Sequence, residues 1–107
     1  MADIYYMKEK YGVAVHLMAT SDGTLRQRVR DAYVSSVRLA HTVGGGRPET
    51  QASVALTKRM EDLAEKVTQD GTYDTSFSVL SDERIAEVAE DIYDIHLEIV
   101  DELGHLG

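Results

Sequence analysis

Two short stretches of the chain carry carboxylates at a spacing that could do chemistry. Glu61-Asp62-Leu63-Ala64-Glu65 and Glu90-Asp91-Ile92-Tyr93-Asp94 set Asp62 one helical turn from Glu65 and Asp91 one turn from Asp94. Four hard oxygen ligands, two from each of two facing helices, suit magnesium or manganese, and such a cation could bridge a nucleotide phosphate. Other residue types add little. His16, His41 and His105 have no second histidine at ligand spacing, and Glu102 with His105 is one isolated Glu-x-x-His where a di-iron bundle needs two. The absence of cysteine excludes disulfides, thiolate chemistry and sulfur-ligated metals. No serine or threonine stands in a nucleophile-elbow context. The glycine-rich run from Gly44 to Gly46 lacks the lysine–hydroxyl pair of a phosphate loop and reads as a linker between helices.

The acid spacing resembles the EExxE and ExxD signature of the MazG-like all-α nucleotide pyrophosphohydrolases, with twenty-five residues between Glu65 and Asp91. That resemblance implies a metal held by Asp62, Glu65, Asp91 and Asp94, with Glu61 nearby and magnesium or manganese as the cofactor. It covers these two stretches alone, and aspartate replaces glutamate at two of the four ligand positions. On a helical wheel the same acids lie opposite the apolar stripes of their helices, whereas a metal site inside a bundle needs them turned inward. The favoured reading is two solvated helix faces with no metal and no cofactor, and the pyrophosphohydrolase is the alternative.

Four periodic segments must position these residues. Helices are expected over about 3–20, 24–43, 48–69 and 81–104, which makes an all-α, four-helix bundle-like single domain spanning 1–107. Thr24 followed by Gln27 is a capping box after the Asp22-Gly23 turn. Ser81 is a natural N-cap, with Leu80 and Ile85 at the two positions of a hydrophobic staple, and Gly104 is the expected stop. Pro48 suits the first turn of the third helix. In the first segment Ile4, Met7, Tyr11, Ala14, Val15 and Met18 share one face, while Tyr6, Val13 and Leu17 form a second apolar row. That second row predicts a helix covered on both sides, at the domain centre or by a second copy in a homodimer. A strand over Tyr11 to Met18 is the competing reading, with Gly12 inside it. Residues 71–80 are expected to form an irregular segment anchored by Phe77, or one short strand.

The formal net charge of -8 is unevenly spread. Ten acids balance ten bases up to Leu80, whereas from Ser81 onward nine acids face Arg84 alone, so the last helix holds the whole surplus. Glu87, Glu90, Asp91, Asp94, Glu98, Asp101 and Glu102 fall on one outward arc opposite Ile85, Val88, Ile92, Ile95 and Ile99, with Tyr93, Leu97 and Val100 on the flank. His96 falls on the apolar face, where a neutral histidine is commoner than a ligand. An acidic strip repels a nucleic-acid backbone and favours a basic protein surface. The arginines of the second helix, Arg26, Arg28, Arg30 and Arg38, are expected to pair with acids of neighbouring helices rather than to bind nucleic acid. No apolar run is long enough to span a membrane and no signal-peptide pattern opens the chain, so a cytoplasmic protein is expected. The function expected is a non-catalytic protein–protein interaction module: a small acidic regulator, inhibitor or antitoxin-like partner that docks on a basic surface through its last helix.

Overall fold

Short polar side chains start the helices where local chemistry places them. In the computed structural model, which describes residues 3–42, 51–68 and 77–106, α1 (Ile4–Thr20) begins at Asp3, whose carboxylate accepts the N–H groups of Tyr5 and Tyr6. Gly23, with φ of 110°, turns the chain into α2 (Leu25–Ala32). There the capping box is complete: the Gln27 N–H donates to the Thr24 hydroxyl, and the Thr24 N–H donates to the Gln27 side chain. The first segment is thus helical throughout, and the strand alternative for Tyr11 to Met18 is overturned.

The second helix contains a feature that periodicity did not reveal. A π turn (Tyr33–Val37) separates α2 from α3 (Arg38–Thr42), and the Arg38 N–H reaches the Tyr33 carbonyl across five residues. The Ser35 hydroxyl donates to the Asp31 carbonyl at 2.6 Å, competing for the acceptor that an α-helical Ser35 N–H would use. The widened turn buries Tyr33, Ser36 and Val37, and the Tyr33 ring stands 5.7 Å from Phe77 at 51°.

Two helix ends differ from expectation. α4 (Val54–Val67) starts six positions later than the anticipated 48, because Ser53 caps it by accepting the Leu56 N–H, while Gln51 forms an isolated antiparallel bridge with Asp3. Pro48 and the Gly44–Gly46 run lie outside the described residues, as do Val43 and residues 71–76. At the other end, α5 (Asp82–Leu106) continues through Gly104 instead of stopping there. A glycine inside a helix costs only about 1 kcal/mol, and apart from its chain neighbours and its own helix backbone no described atom lies within 4 Å of the Cβ position of Gly104. Residues 77–79 form a helical turn rather than a strand, and Phe77 is the buried anchor anticipated for that segment. Ser81 then caps α5 by accepting the Arg84 N–H, with Leu80 and Ile85 both buried as a staple requires.

The protein is all-α, and its described helices surround one core. α1 packs along α5 and along α2, the π turn and α3; α2 also touches α5, and α4 packs chiefly on α5. Ile4, Met7 and Tyr11 from α1 meet Val29 and Val37, Leu56 and Leu63, and Ile92, Ile95 and Ile99 in a single buried cluster. Each such side chain contributes roughly 1.5–3 kcal/mol over an exposed one. Burial also pushes the Tyr11 and Tyr33 hydroxyls up from their ordinary range, so both stay neutral. The Cα extents of 39 × 28 × 19 Å make the domain about two helices thick, so α1 and α5 each keep an outward face.

The arginines of α2 tie the arrangement together. Arg26 donates to the Phe77 carbonyl at 2.9 Å and to Asp82 at 2.8 Å, clamping the approach to α5. Arg28 donates to the Met18 carbonyl in the last turn of α1 at 2.6 Å. Pairing with an acid of a neighbouring helix therefore holds for Arg26, while Arg28 bonds backbone, because α1 presents its free carbonyls there.

Candidate functional site

The acidic arc of α5 divides into two halves with different surroundings. Its inner half faces α4. Lys66 reaches across from α4, with Nζ 2.7 Å from Asp91 Oδ2 and 3.9 Å from Glu87 Oε2. Arg84 adds a second cation to Glu87 at 2.9 Å from within α5. Arg59 of α4 pairs with Glu98, and Glu102 accepts the N–H of Ser53, the residue that caps α4. The like-charge spacing of Glu87 and Asp91 is thereby offset by the shared Lys66. Four of the seven arc acids serve the α4–α5 interface.

The outer half consists of Glu90, Asp94 and Asp101. Glu90 and Asp101 are exposed and Asp94 is half-buried. Glu90 and Asp94 have no hydrogen bond or ion pair to any described residue. Beside them stand Tyr93, Leu97 and Val100, all exposed apolar side chains.

The four acids of the metal reading do not converge. Asp62 and Asp91 line one shallow cavity of about 210 Å³ with Arg59 and Lys66. Glu65 lines a neighbouring depression with Asp62, Lys66 and Arg84, and Asp94 lines neither. Asp62 is already paired with Lys58 at 3.0 Å, one turn back on α4, and that bond holds the Lys58 ammonium above its usual range. Glu61 is exposed. Among the described residues no three histidine, aspartate or glutamate side chains are grouped closely enough to hold a metal ion. The Lys66 ammonium occupies the space between the two helices where a divalent cation would have to sit, so the residues do not fit magnesium or manganese.

The second apolar row of α1 is also broken up. Leu17 is half-buried and packs against the core, Tyr6 is half-buried with the Lys10 ammonium 5.4 Å from its ring centroid, and Val13 alone is exposed. On the opposite flank Gly12 meets His96: a Cβ on Gly12 would lie 3.7 Å from His96 Cε1. His96 is half-buried, and its Nδ1 is buried with no hydrogen-bond partner among the described residues. Desolvation first, and Lys8 second, hold its pKa below the ordinary histidine value. His16 is exposed, and the side chains of His41 and His105 lie outside the described residues.

Compared with known proteins, the chain matches no family model, no curated protein and no solved structure. The arrangement of side chains is therefore the basis for any functional reading.

Sequence reasoning missed the cations Arg59 and Lys66 as partners of the arc. The signal was weak but present: both stand on α4 at a spacing of one heptad, the repeat that brings residues of packed helices to one seam. Among the described residues, no helix is long and apolar enough to cross a membrane.

Proposed function

We propose that the protein is a non-catalytic interaction module, a small cytoplasmic regulator or inhibitor that presents α5 to a basic protein surface. The observation that supports this reading most is the pair Glu90 and Asp94. Glu87, Asp91 and Glu98 of the same arc each pair with Arg59, Lys66 or Arg84, whereas Glu90 and Asp94 have no cation among the described residues. Unpaired acids on a rigid, well-capped helix favour basic partners and speed their association, while the net charge of -8 opposes binding to nucleic acid. A MazG-like pyrophosphohydrolase is not favoured, because its candidate ligands are dispersed and Lys66 stands among them.

The test is charge reversal of the outer half alone. Glu90→Lys/Asp94→Lys is expected to abolish capture of a partner by crosslinking while leaving the melting temperature within a few degrees of wild type. The control Glu61→Lys/Glu65→Lys, on exposed positions of α4, is expected to retain capture. Equal loss in both variants, or no loss in the first, rejects α5 as the docking helix.

A further inference from the structure

α1 and α5 run antiparallel. Asp3, before α1, bridges Gln51, and Ser53 bonds Glu102 near the end of α5, while Gly12 meets His96 near the middle of both helices. Because Gly12 has no side chain, the seam on the outer surface is shallow, with a depression of about 500 Å³ along α1 lined by Tyr5, Gly12, Val13 and His16. Tyr93, Leu97 and Val100 recur on α5 at the spacing of one helical stripe, adjacent to His96. The exposed apolar residues of both helices remain well exposed: Tyr5 56%, Val13 42%, Tyr93 48%, Leu97 48% and Val100 45%. Single exposed apolar residues need no explanation, but five flanking one seam between two helices form a face that another molecule can cover.

Charge identifies the occupant. On α5 Glu90 and Asp94 stand one helical turn before Tyr93 and Leu97, and on α1 the depression is lined by Glu9 and Lys8. The face is thus apolar along its centre and net acidic along its rim. A second copy would bring another surplus of eight negative charges against it, which opposes pairing. We infer that the α1–α5 groove receives a basic amphipathic helix from a partner protein, with apolar side chains seated over Gly12 and between Tyr93 and Val100, and lysine or arginine set against Glu90 and Asp94. This is the helix-in-groove mode, read through anchors at i, i+3 or i+4, and i+7. It rests on α5 as the docking helix and specifies the chemistry of what docks there.

The test uses the full chain and two synthetic helical peptides of about five turns, one patterned with leucine and lysine, the other with leucine and glutamate. Binding is read by fluorescence anisotropy at several salt concentrations. The basic peptide is expected to bind and the acidic one not to. Leu97→Ser/Val100→Ser is expected to weaken binding about tenfold, as loss of interface anchors does. Glu90→Gln/Asp94→Asn is expected to weaken it and flatten its salt dependence, while Glu61→Gln/Glu65→Gln leaves it unchanged. Binding that needs Glu90 and Asp94 but ignores Leu97 and Val100 overturns the groove and leaves α5 as an acidic docking helix. Equal sensitivity to the α4 control, or no binding at all, overturns both. A wild-type dimer in sedimentation that Leu97→Ser/Val100→Ser dissociates assigns the face to a second copy and overturns the proposal.

Discussion

Lys66 Nζ lies 2.7 Å from Asp91 Oδ2, joining α4 to α5 through an ion pair in which each side chain is 27% exposed. This contact places a cation where the acid spacing by itself suggested a divalent metal. It also turns part of a like-charged arc into an attachment between helices. Because both groups are only partly accessible, the pair is screened less than a surface bridge and loses less to water, though its net contribution stays modest.

Lys66→Ala is expected to destabilise the fold by about 1 kcal/mol, a loss of roughly 4–8 °C in melting temperature for a domain of this size. Asp91→Asn should cost a similar amount, and the double variant should cost less than the sum, a coupling that a double-mutant cycle by thermal melts measures directly. Millimolar magnesium or manganese at matched ionic strength is expected to shift the wild type and Asp91→Asn equally. A metal-specific shift present in the wild type and lost in Asp91→Asn would restore the metal reading, since a ligand at a hundred times its Kd stabilises by about 2.7 kcal/mol.

His96 gives the fold a pH dependence on the acid side. Its folded pKa lies below 6.5, so the unfolded chain takes up a proton at a pH where the folded protein does not. Its neutral form is favoured in the fold, and stability is expected to decline as pH falls from 6.5 toward the folded value. The cause is geometric as well as electrostatic: Nδ1 is buried without a partner among the described residues, and Lys8 repels the added charge. Denaturant melts of His96→Gln should show a shallower fall over that window than wild type, with the two curves closest above neutral pH. Identical slopes would remove His96 as a contributor.

Gly12→Ala is expected to stabilise the protein by about 0.5–1 kcal/mol, the usual gain of alanine over glycine inside a helix. The new methyl would meet His96 Cε1 at 3.7 Å, an ordinary van der Waals contact, and Gly12 needs no left-handed conformation. The melting temperature should rise by a few degrees. A fall would mean that α1 and α5 approach too closely for any side chain there, and that the shallow seam depends on glycine itself.

Much of the architecture was legible in the sequence because its determinants are local. The capping box at Thr24 and the N-cap and staple at Ser81 are completed by residues within five positions, and the apolar stripes of α2, α4 and α5 follow from period alone. The surplus negative charge on α5 and the absence of cysteine chemistry were equally plain. Where local reading failed, a competing local group had often won: Ser53 started α4 and the Ser35 hydroxyl accompanied the π turn, while Gly104 kept the helical path instead of turning to positive φ. What only the tertiary structure decided is the fate of each acid. Arg59 is thirty-nine residues from Glu98, and Lys66 is twenty-five from Asp91. Such pairs depend on the angle and register at which two helices pack, which the period of either helix leaves open. Tyr93 and Val100, on the flank of the apolar stripe, likewise stay exposed because α1 packs only as far across α5 as the seam at Gly12 and His96.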